Sequence, residues 1–335
     1  MGLIAIAANP ASGRDIRRLV SYATVFNNRE KQNIVERVIL AAAQMGEHRF
    51  CIMPDSFHFA ERVIAHLVED LRSVPEGLVY LPDLPYSDGQ EDTTAFARYA
   101  EEQGADVLIV LGGDGTSRAA AKGLDRLPLI PISTGTNNVF PEVAEGTVVG
   151  MTAAALASHI IPAEDCCQRC KRIEISLNGK FQDIALIDVV FSSCLYSGSK
   201  ALWNQEDMNR IVVTQCHPAS IGFSALLGAC TIVHPEDEWG AMAVCGGDAP
   251  NTRVALAAGV VTAAALSHVC SVPLYEPLTF QMDQSGILAL DGERELRYRA
   301  GDTLTLNITR RGPRRVALAS ALALAQAKGF FRMGS

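Results

Sequence analysis

The residues best suited to chemistry are Gly112, Gly113, Asp114, Gly115 and Thr116, set between the apolar run Val107 to Leu111 and a helical pattern. Three glycines at a strand-to-helix turn let the backbone approach a bulky anion and reach conformations closed to other residues. The N–H groups of such a turn, with the positive helix end behind them, attract phosphate. An acid among those amides repels the same ligand. Asp114 therefore reads as a group that orients Mg²⁺ or accepts a proton from an attacking hydroxyl. The plainer alternative is a tight turn in which it caps the helix.

Two further loops go with this turn. Asn9, Pro10, Ala11, Ser12 and Gly13 follow the first strand pattern, and Ser133, Thr134, Gly135, Thr136, Asn137 and Asn138 follow the fifth. Each alone is ordinary turn and cap chemistry. Three such loops on one sheet edge make a nucleotide site.

The elements behind these loops follow from periodicity. Strands are expected at Leu3 to Ala8, Arg49 to Met53, Leu78 to Leu81, Val107 to Leu111 and Leu129 to Ile132. Apolar residues three or four apart predict helices over Lys31 to Met45, Phe57 to Leu71, Thr93 to Gln103, Ser117 to Leu124 and Thr147 to Ile160. Such alternation predicts a parallel sheet covered on both faces, with ligands at the carboxyl ends of its strands. Beyond Pro162 the segments shorten, as in Arg172 to Leu177, Ile184 to Phe191 and Thr303 to Ile308, with turn pairs at Asn178-Gly179 and Asp291-Gly292. The expected architecture is α/β plus β: a Rossmann-like parallel-sheet domain over 1–160 and a β-rich, sandwich-like domain over 161–315. A C-terminal helix within 316–335 packs back on the first domain.

Composition agrees. The chain has 335 residues, 48% hydrophobic and 20% charged, enough for about two domains and unlike a disordered or fibrous chain. A formal charge of -8 argues against nucleic acid or an anionic membrane as partner. The basic run Arg310, Arg311, Arg314 and Arg315, around Gly312-Pro313, reads as a solvated hairpin turn. Nine cysteines without a secretory leader fit a reducing cytoplasm. Cys166, Cys167 and Cys170 read as reduced thiols in a linker, with zinc the rival. No apolar run reaches the ~20 residues of a membrane span. Trp203, with Lys200 and Asn204, reads as a packing contact or a lip over a base, and His217 as structural.

In their order, NPASG, GGDGT and TGTNN resemble the superfamily of NAD kinases, diacylglycerol kinases and sphingosine kinases. Within it the chain is similar to the AcoX-type ATP-NAD kinases of acetoin catabolism. The resemblance implies an NAD kinase/diacylglycerol kinase-like fold and an ATP-dependent kinase that phosphorylates the 2′-hydroxyl of NAD to give NADP. Mg²⁺ would accompany ATP, with no metal site by direct motif. By the same likeness Asn9, Ser12, Gly13, Gly112, Gly113, Gly115 and Thr116 bind nucleotide phosphates and Asp114 is catalytic. Asn137, Asn138 and Asp188 position the acceptor, and an acid of the Asp291-Gly292-Glu293 turn assists. Nucleotides are the implied partners, rather than nucleic acid or membrane, with a homodimer or homotetramer as the assembly.

Two departures bear on the substrate. Ile187 stands where the NAD kinases carry an Asn, and Pro218 to Phe223 lacks most polar groups of their Pro-x-Gly-Ser-Thr-Ala-Tyr loop. A kinase of another small alcohol or lipid, or a non-catalytic nucleotide-binding regulator of acetoin catabolism, therefore stands beside the first reading.

Overall fold

The computed structural model describes residues 1–10, 27–135, 138–193, 208–247 and 249–333. In the first half, β1 (Gly2–Ala8), β2 (His48–Ile52), β3 (Val79–Tyr80), β4 (Val107–Gly112) and β5 (Pro128–Ser133) pair in parallel in the order 3-2-1-4-5. The connecting helices are α1 (Asn28–Met45), α2 (Phe59–Ala65), α3 (Gln90–Glu102) and α4 (Asp114–Gly123), with α5 (Gly146–Ala157) after β5. The segment expected as one helix from Phe57 to Leu71 changes pitch: α2 gives way to a π-helical turn at His66–Asp70.

Both faces of this sheet are covered, so β4 and β5 are buried at every residue and read as continuous apolar runs rather than alternating ones. On one face Ile34, Val35, Val38 and Ile39 of α1 pack with Val149 and Ala153 of α5 against Ile4, Ile6, Ile109 and Ile130. On the other, Phe96 and Ala97 of α3 and Ala120 and Ala121 of α4 pack against Ala5, Ala7, Leu108 and Val110. Asn27 caps α1, its Oδ1 accepting the Glu30 N–H at 2.9 Å. The strand order reverses between β1 and β4, so the loops after Ala8 and after Gly112 leave neighbouring strands at the switch point, where such sheets bind ligands.

After α6 (Ala163–Cys166) and β6 (Cys167–Arg169), the chain builds a sandwich. Its strands are β7 (Arg172–Leu177), β8 (Lys180–Ala185), β9 (Asp188–Ser192), β10 (Met208–Val213), β11 (Trp239–Cys245) and the hairpin β12 (Thr252–Ala257) with β13 (Val260–Ala264). They continue as β14 (Leu266–Pro273), β15 (Leu278–Gln281), β16 (Gly286–Leu290), β17 (Glu293–Tyr298) and β18 (Thr303–Thr309), with α7 (Ser224–Gly228) between β10 and β11. One sheet runs β14-β11-β10-β9-β16-β17, and the other β15-β18-β7-β8. Ile173, Ile175, Leu304 and Leu306 of the smaller sheet meet Val189, Phe191, Leu288 and Leu290 of the larger. Both expected turn pairs take the left-handed conformations of a tight hairpin: φ is 51° and 76° at Asn178 and Gly179, and 49° and 76° at Asp291 and Gly292.

Two expectations change. The run Ile184 to Phe191 is two strands, because the chain turns at Leu186 and Ile187 and crosses from one sheet to the other. A run that is apolar except at Asp188 hides that corner, since the end of β8, the turn and β9 are all buried.

The arginine run is not a solvated turn. Arg314–Val316 forms β19, which pairs in parallel with β5 and antiparallel with β6, so the first sheet is closed by residues from near the end of the chain. Arg310 donates to Glu238 at 2.9 Å and to the Pro235, Glu236 and Asp237 carbonyls. Arg314 reaches Glu164 at 3.4 Å and Arg315 pairs with Glu142. The final helix, α8 (Leu318–Ala327), buries Ala321 and Ala325 in the same core as α1 and α5.

Candidate functional site

At the switch point, Gly112, Gly113 and Gly115 are not in left-handed backbone, contrary to the expectation that glycines at this turn take conformations closed to other residues. Each is there because something lies against it. A Cβ on Gly112 would overlap the Thr116 side chain, one on Gly113 would stand 2.8 Å from Asn138 Oδ1, and one on Gly115 would overlap the Glu293 carboxylate. The turn is thus closely packed against the β5 loop on one side and the second domain on the other.

Asp114 does not cap α4. The N-cap is Gly113, which offers no side-chain acceptor to the first-turn amides. The Asp114 carboxylate, 9% exposed, instead accepts the N–H groups of Val139 at 3.0 Å and Phe140 at 2.8 Å, fixing the segment after Asn138. Asn138 donates from Nδ2 to Ser133 Oγ at 2.8 Å, and the Thr134 N–H donates to the Gly112 carbonyl at 3.1 Å.

The Asp291 carboxyl, fully buried, accepts the N–H groups of Leu186 at 2.9 Å, Ile187 at 2.7 Å and Asp188 at 3.2 Å. Burial raises its pKa, against the pull of Arg118 and of the three amides. This group holds the corner between β8 and β9 and so fixes Asp188, itself 5% exposed. Ile187, at the position where an Asn was missed, is 1% exposed and packs into the first domain's core beside Leu186. It helps to join the two domains.

Glu293 differs from the other acids, with a side chain 41% exposed. It lies over the first turn of α4, where an anion would sit, and pairs with Gln90 Nε2. Its neighbour in charge is Arg118, 3.6 Å away, on α4 and wholly buried.

The structure therefore brings Gly112, Gly113, Asp114, Gly115, Thr116, Asn138 and Glu293 into one contact network, joins Asp291 and Asp188 to it through Arg118 and the β8–β9 corner, and places Asn9 at the end of the neighbouring strand β1. Ser12, Gly13 and Asn137 lie outside the described residues, as do Lys200, Trp203 and Asn204. Three residues escaped the sequence reading: Arg118, Gln90 and Lys31, whose Nζ donates to the Asn9 carbonyl at 2.9 Å while its side chain is 0% exposed. Spacing could have found two of them. Arg118 is four residues after Asp114 on one helix face, and Lys31 opens the apolar stripe Ile34, Val35, Val38 of α1.

Residues 6–160 match the ATP-NAD kinase N-terminal domain, and residues 171–311 match the acetoin catabolism protein X C-terminal domain. Acetoin catabolism protein X of Cupriavidus necator is 33% identical over 324 residues, 91% of this chain and 87% of that protein. The chain belongs to the acetoin catabolism protein X family. Its fold matches yeast NADH kinase complexed with NADH, with a TM-score of 0.55 at 14% identity over 100% of this chain and 89% of that one. Family and fold place the chain among phosphotransferases of the NAD-kinase type, which act on an alcohol group. Among the described residues no helix is long and apolar enough to cross a membrane.

Proposed function

We propose that the chain transfers the terminal phosphoryl group of ATP to the 2′-hydroxyl of NAD, giving NADP. The observation that carries this reading is the approach of Glu293 to Gly115, which brings the second domain's acid onto the α4 N-terminus beside Asp114. Mg²⁺ arriving on the nucleotide needs only one or two protein carboxylates, and Glu293 offers an exposed one there. The first-turn amides of α4 hold donor phosphates, while Asn138 and Asp188 orient the acceptor. Asp114 aligns the acceptor hydroxyl and takes its proton as the new P–O bond forms. Acceleration comes chiefly from orientation and charge neutralisation. The eight described cysteines are free thiols, in keeping with a cytoplasmic setting.

The buried Ile187 favours one variation. Loss of an amide at that position removes contacts to an acceptor worth about 1 kcal/mol each, so another adenine-bearing or polyol acceptor fits the same chemistry. Incubation with ATP, Mg²⁺ and a panel of acceptors, with NADP read by a coupled dehydrogenase, separates these. Asp114→Asn should retain ATP binding by calorimetry and lose turnover; full turnover in that variant refutes the mechanism. Binding of both nucleotides without product under varied metals would instead identify a nucleotide sensor.

A further inference from the structure

The α4 face that carries Asp114 also carries Arg118 and Lys122 at successive turns. Arg118 is 0% exposed, yet its partners belong to three different segments. Nη2 meets Gln90 Oε1 of α3 at 3.2 Å, Nη1 meets Asp183 of β8 at 3.4 Å, and the β16–β17 turn contributes Asp291 at 3.8 Å and Glu293 at 3.6 Å. Through Asp291 the network reaches the amides of Leu186, Ile187 and Asp188. A buried cation facing three carboxylates is costly to desolvate and a poor device for stability alone. Its planar fork suits a group that must fix several acceptors in one geometry.

We infer that Arg118 is a positioning residue that holds two acids of the second domain, Asp188 and Glu293, in register with the Gly112–Thr116 turn. The inference deepens the kinase reading and rests on it for its effect on turnover. The geometric part stands separately. Arg118 sets where Asp291 lies, and Asp291 sets where the β8–β9 corner lies.

The test uses the full chain with Arg118→Lys, which keeps the charge and loses the fork. Misplacement of reacting groups by about 1 Å costs about 100-fold, so kcat should fall by about that factor. ATP affinity by calorimetry should stay within about threefold, because the α4 amides are untouched, giving a loss in kcat rather than KM. Amide hydrogen exchange at Leu186, Ile187 and Asp188 should quicken by at least about tenfold, a local opening with the global unfolding midpoint retained. Turnover within about twofold of wild type, or unchanged exchange at those amides, overturns the inference.

If wild type phosphorylates no acceptor, the kinase reading fails, and the exchange measurement still decides whether Arg118 positions the corner. If Arg118→Lys does not fold, Asp183→Asn removes one partner and keeps the cation. It should lower kcat about fivefold at constant ATP affinity, and an unaltered kcat there overturns the inference.

Discussion

At the Gly112–Thr116 turn the glycines make room for neighbours, and the backbone stays in regions open to any residue. At Asp291–Gly292 the reverse holds: the turn needs two left-handed residues in succession, as a two-residue hairpin does. Their acids, however, work alike. Asp114 accepts two amides of the segment after β5, and Asp291 accepts three amides of the corner before β9. Two unrelated turns thus each use a carboxylate to clamp a loop of another element in place. An acid in a motif is first a geometric part, and only what its remaining lone pairs face makes it a chemical one.

The largest effect should come from breaking the second clamp. Asp291→Ala leaves Arg118 buried without one partner and three amides without an acceptor, and should cost about 3–5 kcal/mol in urea unfolding. Wild-type stability in that variant would remove the clamp from the comparison. Gly112→Ala should cost about 1–3 kcal/mol by overpacking against Thr116. A double-mutant cycle with Thr116→Gly should show coupling, since the two side chains compete for one space. Gly292→Ala should cost about 1 kcal/mol for its left-handed backbone.

The smallest effect is a pH dependence. Because burial raises the Asp291 pKa above its ordinary 3.8, its contribution is in place below that value and is lost as pH rises through the folded value. Replacing it by Asn should flatten the dependence of stability on pH above 3.8, read from urea midpoints across the acid range.

Much of the first sheet was legible because β1, β4 and β5 are apolar runs between strongly periodic helices. The Gly112–Thr116 turn was legible from its residue types. β6 and β19 were not, because strands of three residues have no period, and their pairing joins segments far apart in sequence. Arg118 was hidden for another reason. A charge on a helix ordinarily faces water, and only the tertiary contact with Asp183, Asp291 and Glu293 reveals why this one is inside. The reason for the site glycines was equally tertiary, since Glu293 and Asn138 come from elsewhere in the chain.

The closing of the first sheet by β19 has a consequence for synthesis. The outer edge of β5 pairs with Arg314 and Arg315, which leave the ribosome after the entire sandwich. A nascent chain therefore carries an open strand edge while its second domain is being made, and such edges invite wrong partners. The half of the molecule that is translated first is the half that finishes folding last.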